Sequence, residues 1–274
     1  MDGLVLVEEG CLSFVPRVFC CSDLELRGGV ARGLLAMLKR SITHHCHILN
    51  KRLQFIHVGK CGGSTIAKLL TVSRVVADQY SSVYESHVDG VVIDSECDYL
   101  FCLRNPVARA LSAFEWRKKL VLDDARPNQV RRFSGEANVL KSYGSLSHLA
   151  RSLYGPDGRL QEHVARDFNL VHHLRESISF YLNPLMDVLH SSKVLGVICQ
   201  ETLVEDCREI LGVDASSVFE RRNESRSLSV ADLDSIVLVN LKRYLAQDYS
   251  CLSQLWSLGI LDDKKFSLLM FGDS

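Results

Sequence analysis

The sequence has no surplus of charge of either sign. Lys and Arg total 32 against 33 Asp and Glu, a formal net charge of -1. No global field therefore favours nucleic acid or another strongly polyanionic partner, and only a local basic site can serve an anion. No stretch approaches the ~18 uninterrupted apolar residues of a membrane span. The first residues lack the basic flank and apolar run of a secretory signal, because Asp2, Glu8 and Glu9 stand there instead. The ten cysteines, at 11, 20, 21, 46, 61, 97, 102, 199, 207 and 251, form no regular CxxC pairs. The chain is also too long for a small disulfide scaffold. Free or buried thiols in a reducing compartment are the expectation, and with them a soluble, cytoplasmic protein. There is no internal repeat and no low-complexity linker.

What is present suits a globular protein. At 274 residues, 47% hydrophobic and 24% charged, the chain can bury a real core and is not disordered as a whole. Val30, Leu34, Leu38 and Ile42 recur at helical spacing within 28–50. Buried strands are expected at 53–58, 98–103 and 193–199. Helices are expected after Gly63, capped by Ser64 or Thr65, from Val107 to about Leu120, over 171–190, over 203–211 up to Gly212, and as one long amphipathic helix over 230–257. Residues 121–170 read as short helical pieces, and 214–229 as a polar, arginine-rich loop. Short apolar strands alternating with helices predict a single α/β domain with a mainly parallel central sheet flanked by helices.

The most informative stretch runs from Leu53 to Leu70. A strand passes through Gly59-Lys60-Cys61-Gly62-Gly63 into a helix. The unpaired N–H groups and dipole of a helix start make an anion site. Gly62 and Gly63 admit a phosphate close to the backbone, Ser64 and Thr65 add hydroxyls, and Lys60 adds a full charge. This is not a Walker A loop, whose lysine follows the last glycine and directly precedes Ser or Thr. A second strand ends at Arg104, with Ser112 eight residues on in the next helix. In a parallel sheet both strand ends face the same ligand crevice. Arg104 can bind phosphate bidentately there, and Ser112 can add a hydroxyl.

These two segments resemble the cofactor motifs of the sulfotransferases that use 3′-phosphoadenosine 5′-phosphosulfate (PAPS). Phe55-Ile56-His57-Val58-Gly59-Lys60-Cys61-Gly62-Gly63-Ser64-Thr65 is similar to the family's 5′-phosphosulfate loop. Arg104-Asn105-Pro106-Val107-Ala108-Arg109-Ala110-Leu111-Ser112 is similar to its 3′-phosphate motif. A weaker likeness joins Arg222-Asn223-Glu224-Ser225-Arg226 and the following Asp248-Tyr249 to the cofactor-touching loop of the carbohydrate-type branch. The likeness covers roughly 53–256. Gly59 replaces the usual Pro, and Cys61 replaces the usual Thr or Ser, losing a hydroxyl but keeping its backbone N–H.

The resemblance implies a P-loop-NTPase-like sulfotransferase fold divided along the chain. It begins with an N-terminal extension and helix (1–52) and the cofactor motifs (53–120). An acceptor-pocket region (121–190) follows, then a C-terminal strand, cofactor loop and helix (191–274). It further implies in-line transfer of the sulfuryl group from PAPS to a hydroxyl or amine, releasing 3′-phosphoadenosine 5′-phosphate (PAP). Lys60 and the N–H groups of Gly62 to Thr65 would stabilise the leaving phosphate, with Cys61 among the cofactor-binding residues of the loop, and no metal is required. Arg104 and Ser112 would hold the 3′-phosphate, helped by Asn223, Ser225 and Arg226. His87, ahead of the second motif, is the expected base, since an imidazole near its ordinary pKa suits proton abstraction. Glu115 is the second choice.

His57 is expected to be a satisfied core histidine, and His172 and His173 lie where they can face an acceptor. His44, His45, Cys46 and His47 are metal-like in composition but not in spacing. Cys61, near a helix start, invites a lowered thiol pKa. A small-molecule acceptor is expected, with carbohydrate as the alternative. A P-loop phosphotransferase and a non-catalytic PAP-binding protein remain the competing readings.

Overall fold

The computed structural model describes residues 51–88, 91–216 and 229–272. The helix expected over 28–50, the histidine-rich run at 44–47 and the Asn223-Ser225-Arg226 loop lie outside the described residues. Four strands form one sheet: β1 (Arg52–Ile56), β2 (Ser82–Ser86), β3 (Cys97–Leu103) and β4 (Val194–Cys199). Their order is β2-β1-β3-β4, and every neighbouring pair is parallel. All seven residues of β3 are buried, as are the last four of β1. A parallel sheet covered on both faces selects such continuous apolar runs. The strands at 53–58, 98–103 and 193–199 are therefore found close to their expected bounds. β2 was not expected. It is an edge strand whose Ser-Val-Tyr-Glu-Ser sequence is only partly buried, so it lacks an apolar run.

Among the described residues twelve α-helices accompany the sheet. Along the chain they are α1 (Gly63–Leu70), α2 (Arg74–Gln79), α3 (Pro106–Lys118), α4 (Pro127–Arg132), α5 (Glu136–Tyr143) and α6 (Leu146–Ser152). They continue as α7 (Glu162–Leu170), α8 (Ile178–Leu182), α9 (Leu203–Leu211), α10 (Ser235–Tyr244), α11 (Ala246–Ser257) and α12 (Asp263–Phe271). α3 starts as its sequence dictates. Pro106 occupies the first turn, and the Asn105 side chain accepts hydrogen bonds from the Val107 and Ala108 N–H groups. α9 ends at Gly212 with φ 64, the left-handed stop expected of glycine.

Three expected helices change shape. The region 171–190 is helical only over α8 and a short tight turn at Asn183–Leu185, because the chain reverses at 171–177. The long helix over 230–257 is two helices, α10 and α11, which meet at Leu245. The start of α1 is capped by neither Ser64 nor Thr65. Gly62 holds that position at φ 81 without a side-chain cap.

Two apolar clusters divide the interior. One surrounds the sheet and contains Phe55, Ile66, Phe101, Tyr181, Leu203 and Leu252. The other is a helical assembly around Phe114, Leu140, Leu149, Phe168 and Leu241. Tyr249 of α11 packs against both. α3 belongs to the second cluster, and its Arg117 forms a bidentate pair with Glu136 of α5 at 2.9 and 2.7 Å. Both side chains are almost fully buried. A buried pair of this quality withstands desolvation because each carboxylate oxygen receives a charged donor.

Candidate functional site

Because the strands are parallel, their C-terminal ends share one rim. His57, His87, Arg104 and Gln200 follow β1, β2, β3 and β4 there within a residue. Open parallel sheets bind ligands at this edge.

The loop after β1 is tightly constrained. Lys60 adopts φ 71 and Gly62 φ 81. Side chains on Gly62 or Gly63 would have no room. A Cβ on Gly62 would lie 2.3 Å from Gln200 Oε1, and one on Gly63 would lie 1.9 Å from His57 Cδ2. The glycines thus serve packing. The Thr65 and Ile66 N–H groups already donate to the Gly62 carbonyl, at 2.9 and 3.2 Å. Gly63 and Ser64, in the first helical turn, are the donors without an acceptor inside α1. Ser64 is exposed, whereas Thr65 is buried. Cys61 departs from its expected role, since its N–H donates to the Val58 carbonyl at 3.3 Å. Its thiol is fully buried. Burial pushes that thiol up to about 12, opposite to the lowering invited by its place near a helix start.

Lys60 reaches across the loop to α3, where its Nζ lies 4.4 Å from the Trp116 ring centroid. Burial, with the Arg104 guanidinium beside it, brings the ammonium down to about 8. Arg104 is half-buried, and its Nη1 lies 3.5 Å from the Lys60 carbonyl. The two cations expected to hold phosphate are therefore neighbours. Ser112 is half-buried on α3, one turn before Trp116.

The histidines form a stack behind this loop. His57 is buried and pairs through Nδ1 with Glu85, which holds that carboxyl below its usual range. The His57 ring stacks on His87 at 4.2 Å. His87 Nδ1 lies 2.8 Å from the His57 carbonyl. A carbonyl only accepts, so Nδ1 carries the proton and the ring lone pair is on Nε2. His173 comes within 5.8 Å of His87, and Tyr181 within 6.2 Å. His172 and His173 do not lie on a helix as expected, but in the 171–177 reversal, with His173 at φ 67. The His173 Nδ1 packs so closely on Gly59 that a Cβ there would lie 2.5 Å away. Gly59, standing where the resembling family has proline, leaves room for that imidazole. Burial lowers His173 to about 2, so it is a neutral ring.

His172, His173 and Glu176 bring three ligand-type atoms within 4.8 Å of one another. The Arg117 and Arg132 charges act on His172, and the Lys60 and Arg109 charges act on His173. The Glu176 and Glu136 carboxylates act on His172 in the opposite sense, so cationic and anionic groups are mixed around this cluster. Arg109 was singled out by no sequence argument beyond its place in the second motif. It is 0% exposed, and Nη1 donates to the His173 and Glu176 carbonyls at 2.7 and 3.0 Å. Its Nε and Nη2 have no partner among the described residues. Glu115, the second-choice base, is half-buried and its carboxyl is raised by burial.

No family model matches the chain, and no curated protein or solved structure matches it. Among the described residues, no helix is long and apolar enough to cross a membrane.

Proposed function

We propose that this protein transfers the sulfuryl group of PAPS to an acceptor hydroxyl, with Lys60 as the charge-stabilising group and His87 as the base. The supporting observation is the meeting, on one sheet rim, of two kinds of group. One is an open helix start flanked by Lys60 and Arg104. The other is a histidine whose Nδ1 proton is fixed by the His57 carbonyl.

In the proposed reaction the acceptor oxygen attacks sulfur in line. The bond between sulfur and the bridging phosphate oxygen breaks, and PAP leaves with the bonding pair. His87 Nε2 takes the acceptor proton. Lys60 and the Gly63 and Ser64 N–H groups offset the charge that grows on the leaving oxygen. Arg104 and Ser112 bind the 3′-phosphate, and Asn223, Ser225 and Arg226 complete that end of the nucleotide. The acceptor is a small molecule in this reading, and the region 121–190 shapes its pocket. The six described cysteines are free thiols, which supports a cytoplasmic setting.

The test is a thermal-shift titration with PAP beside ATP and magnesium, because a tight ligand of the folded state raises its melting midpoint. A shift with PAP alone is expected. His87→Ala should then keep PAP affinity and lose turnover by about 100-fold or more. A shift only with ATP and magnesium refutes the reading in favour of a phosphotransferase.

A further inference from the structure

The chain has two tryptophans, and one of them borders the anion loop. Trp116 lies four residues beyond Ser112, so both project from the same flank of α3. It is 41% exposed. The left-handed backbone at Lys60 aims that side chain over α3, where the ammonium meets the indole face. The other groups facing Lys60 are Arg104 at the end of β3, Arg117 on α3, Cys61 beside it and His173 in the 171–177 turn. Two of these are cations, the thiol is protonated and the imidazole is neutral. Among the described residues no carboxylate pairs with Lys60. The indole quadrupole is therefore the electron-rich partner of a half-buried ammonium.

We propose that Trp116 is a positioning residue: its indole holds the Lys60 ammonium at the mouth of the loop and yields it to a phosphate-type anion seated on the Gly63 and Ser64 amides. The inference rests on the reading of this loop as an anion seat. A charge-assisted hydrogen bond to phosphate is stronger than a partly exposed cation–π contact, so the anion wins the ammonium when it arrives. Until then the indole offsets part of the lowering that burial and the Arg104 and Arg117 charges impose on the ammonium.

The test uses the full chain with Trp256→Phe, which leaves Trp116 as the sole tryptophan. Two results are expected without any ligand. Trp116 emission should step as pH rises through about 8, where Lys60 loses its proton, and the step should vanish with Lys60→Met. PAP and inorganic phosphate are then titrated separately at pH 7, by emission and by calorimetry. Each ligand that binds should move the emission with the same midpoint as its heat. In otherwise wild-type protein, Trp116→Leu should move the upper pH midpoint of binding down by about half a unit, and Trp116→Phe by less.

Emission that stays flat from pH 6.5 to 9.5 overturns the proposal. So does calorimetric binding that leaves emission unchanged, or coincident pH profiles for the Leu and Phe variants. If phosphate binds and moves the emission while PAP does not bind, the nucleotide reading fails and the role of Trp116 stands. Binding of neither ligand overturns both.

Discussion

Gly63→Ala offers a clear contest between two effects. Gly63 is the first residue of α1 and does not occupy the left-handed region. Helix propensity alone favours alanine there by as much as about 1 kcal/mol. The structure predicts the opposite sign. The new methyl would lie 1.9 Å from His57 Cδ2 and 2.3 Å from Nε2. His57 has little freedom to move aside, being buried, paired with Glu85 and stacked on His87. Overpacking of this kind costs about 1–3 kcal/mol. For a domain near this size that is a fall in melting midpoint of about 2–10 °C. The imidazole must turn, and the His87 ring stacked on it must shift with it, so turnover should fall as well as stability.

The assay is thermal unfolding and PAP titration of Gly63→Ala, His57→Ala and the double variant. Removing the imidazole opens the space, so Gly63→Ala should cost almost nothing in the His57→Ala background. Gly144→Ala supplies the comparison. It adds left-handed strain at φ 69 with no atom within 4 Å, and should lower stability while leaving nucleotide affinity unchanged. An equal cost of Gly63→Ala in both backgrounds, or a gain in stability, would refute the packing argument.

Two further predictions concern buried groups. Glu136→Gln strands the Arg117 guanidinium in the interior and should cost about 3–5 kcal/mol in chemical denaturation; a loss below 1 kcal/mol would show that the pair contributes little. Cys61 should resist iodoacetamide in the native protein at pH 8 and react only on unfolding, as followed by mass spectrometry of its peptide; rapid native labelling would contradict its burial and raised thiol.

The parts of the fold legible in sequence were those with one dominant local signal. The runs in β1, β3 and β4 are apolar because both sheet faces are covered, and Asn105-Pro106 and Gly212 mark helix ends by their own stereochemistry. β2 had no such signal, since half its surface faces solvent. The 171–177 reversal depends on contacts distant in sequence, including Arg109 donating to two of its carbonyls. The proximity of Lys60 and Arg104 followed from strand polarity alone, whereas the place of His87 depends on β2, which no local signal announced. The closeness of His173 to Gly59, the indole over Lys60 and the unmatched charge of Arg109 required the tertiary packing. Ser64 and Thr65 show the reverse failure: residue type suggested a cap, but the left-handed glycine before them already sets the start of the helix.

The last described helix reaches back to the turn that follows β3. The Asn105 amide donates to the Leu269 carbonyl at 2.9 Å. Lys265 ties the same helix to the Val197 carbonyl and to Asp206. Asn105 directly follows Arg104, so α12 braces the turn that aims this guanidinium. Synthesis on the ribosome runs from the other end. A nascent chain can assemble β1, β3 and the glycine loop while this brace is still in the exit tunnel, and the turn at Arg104, held until then by Glu201 and its own cap, gains its last support once residues 263–271 have emerged and docked. The shape of the rim is thereby coupled to the late arrival of a segment distant in sequence.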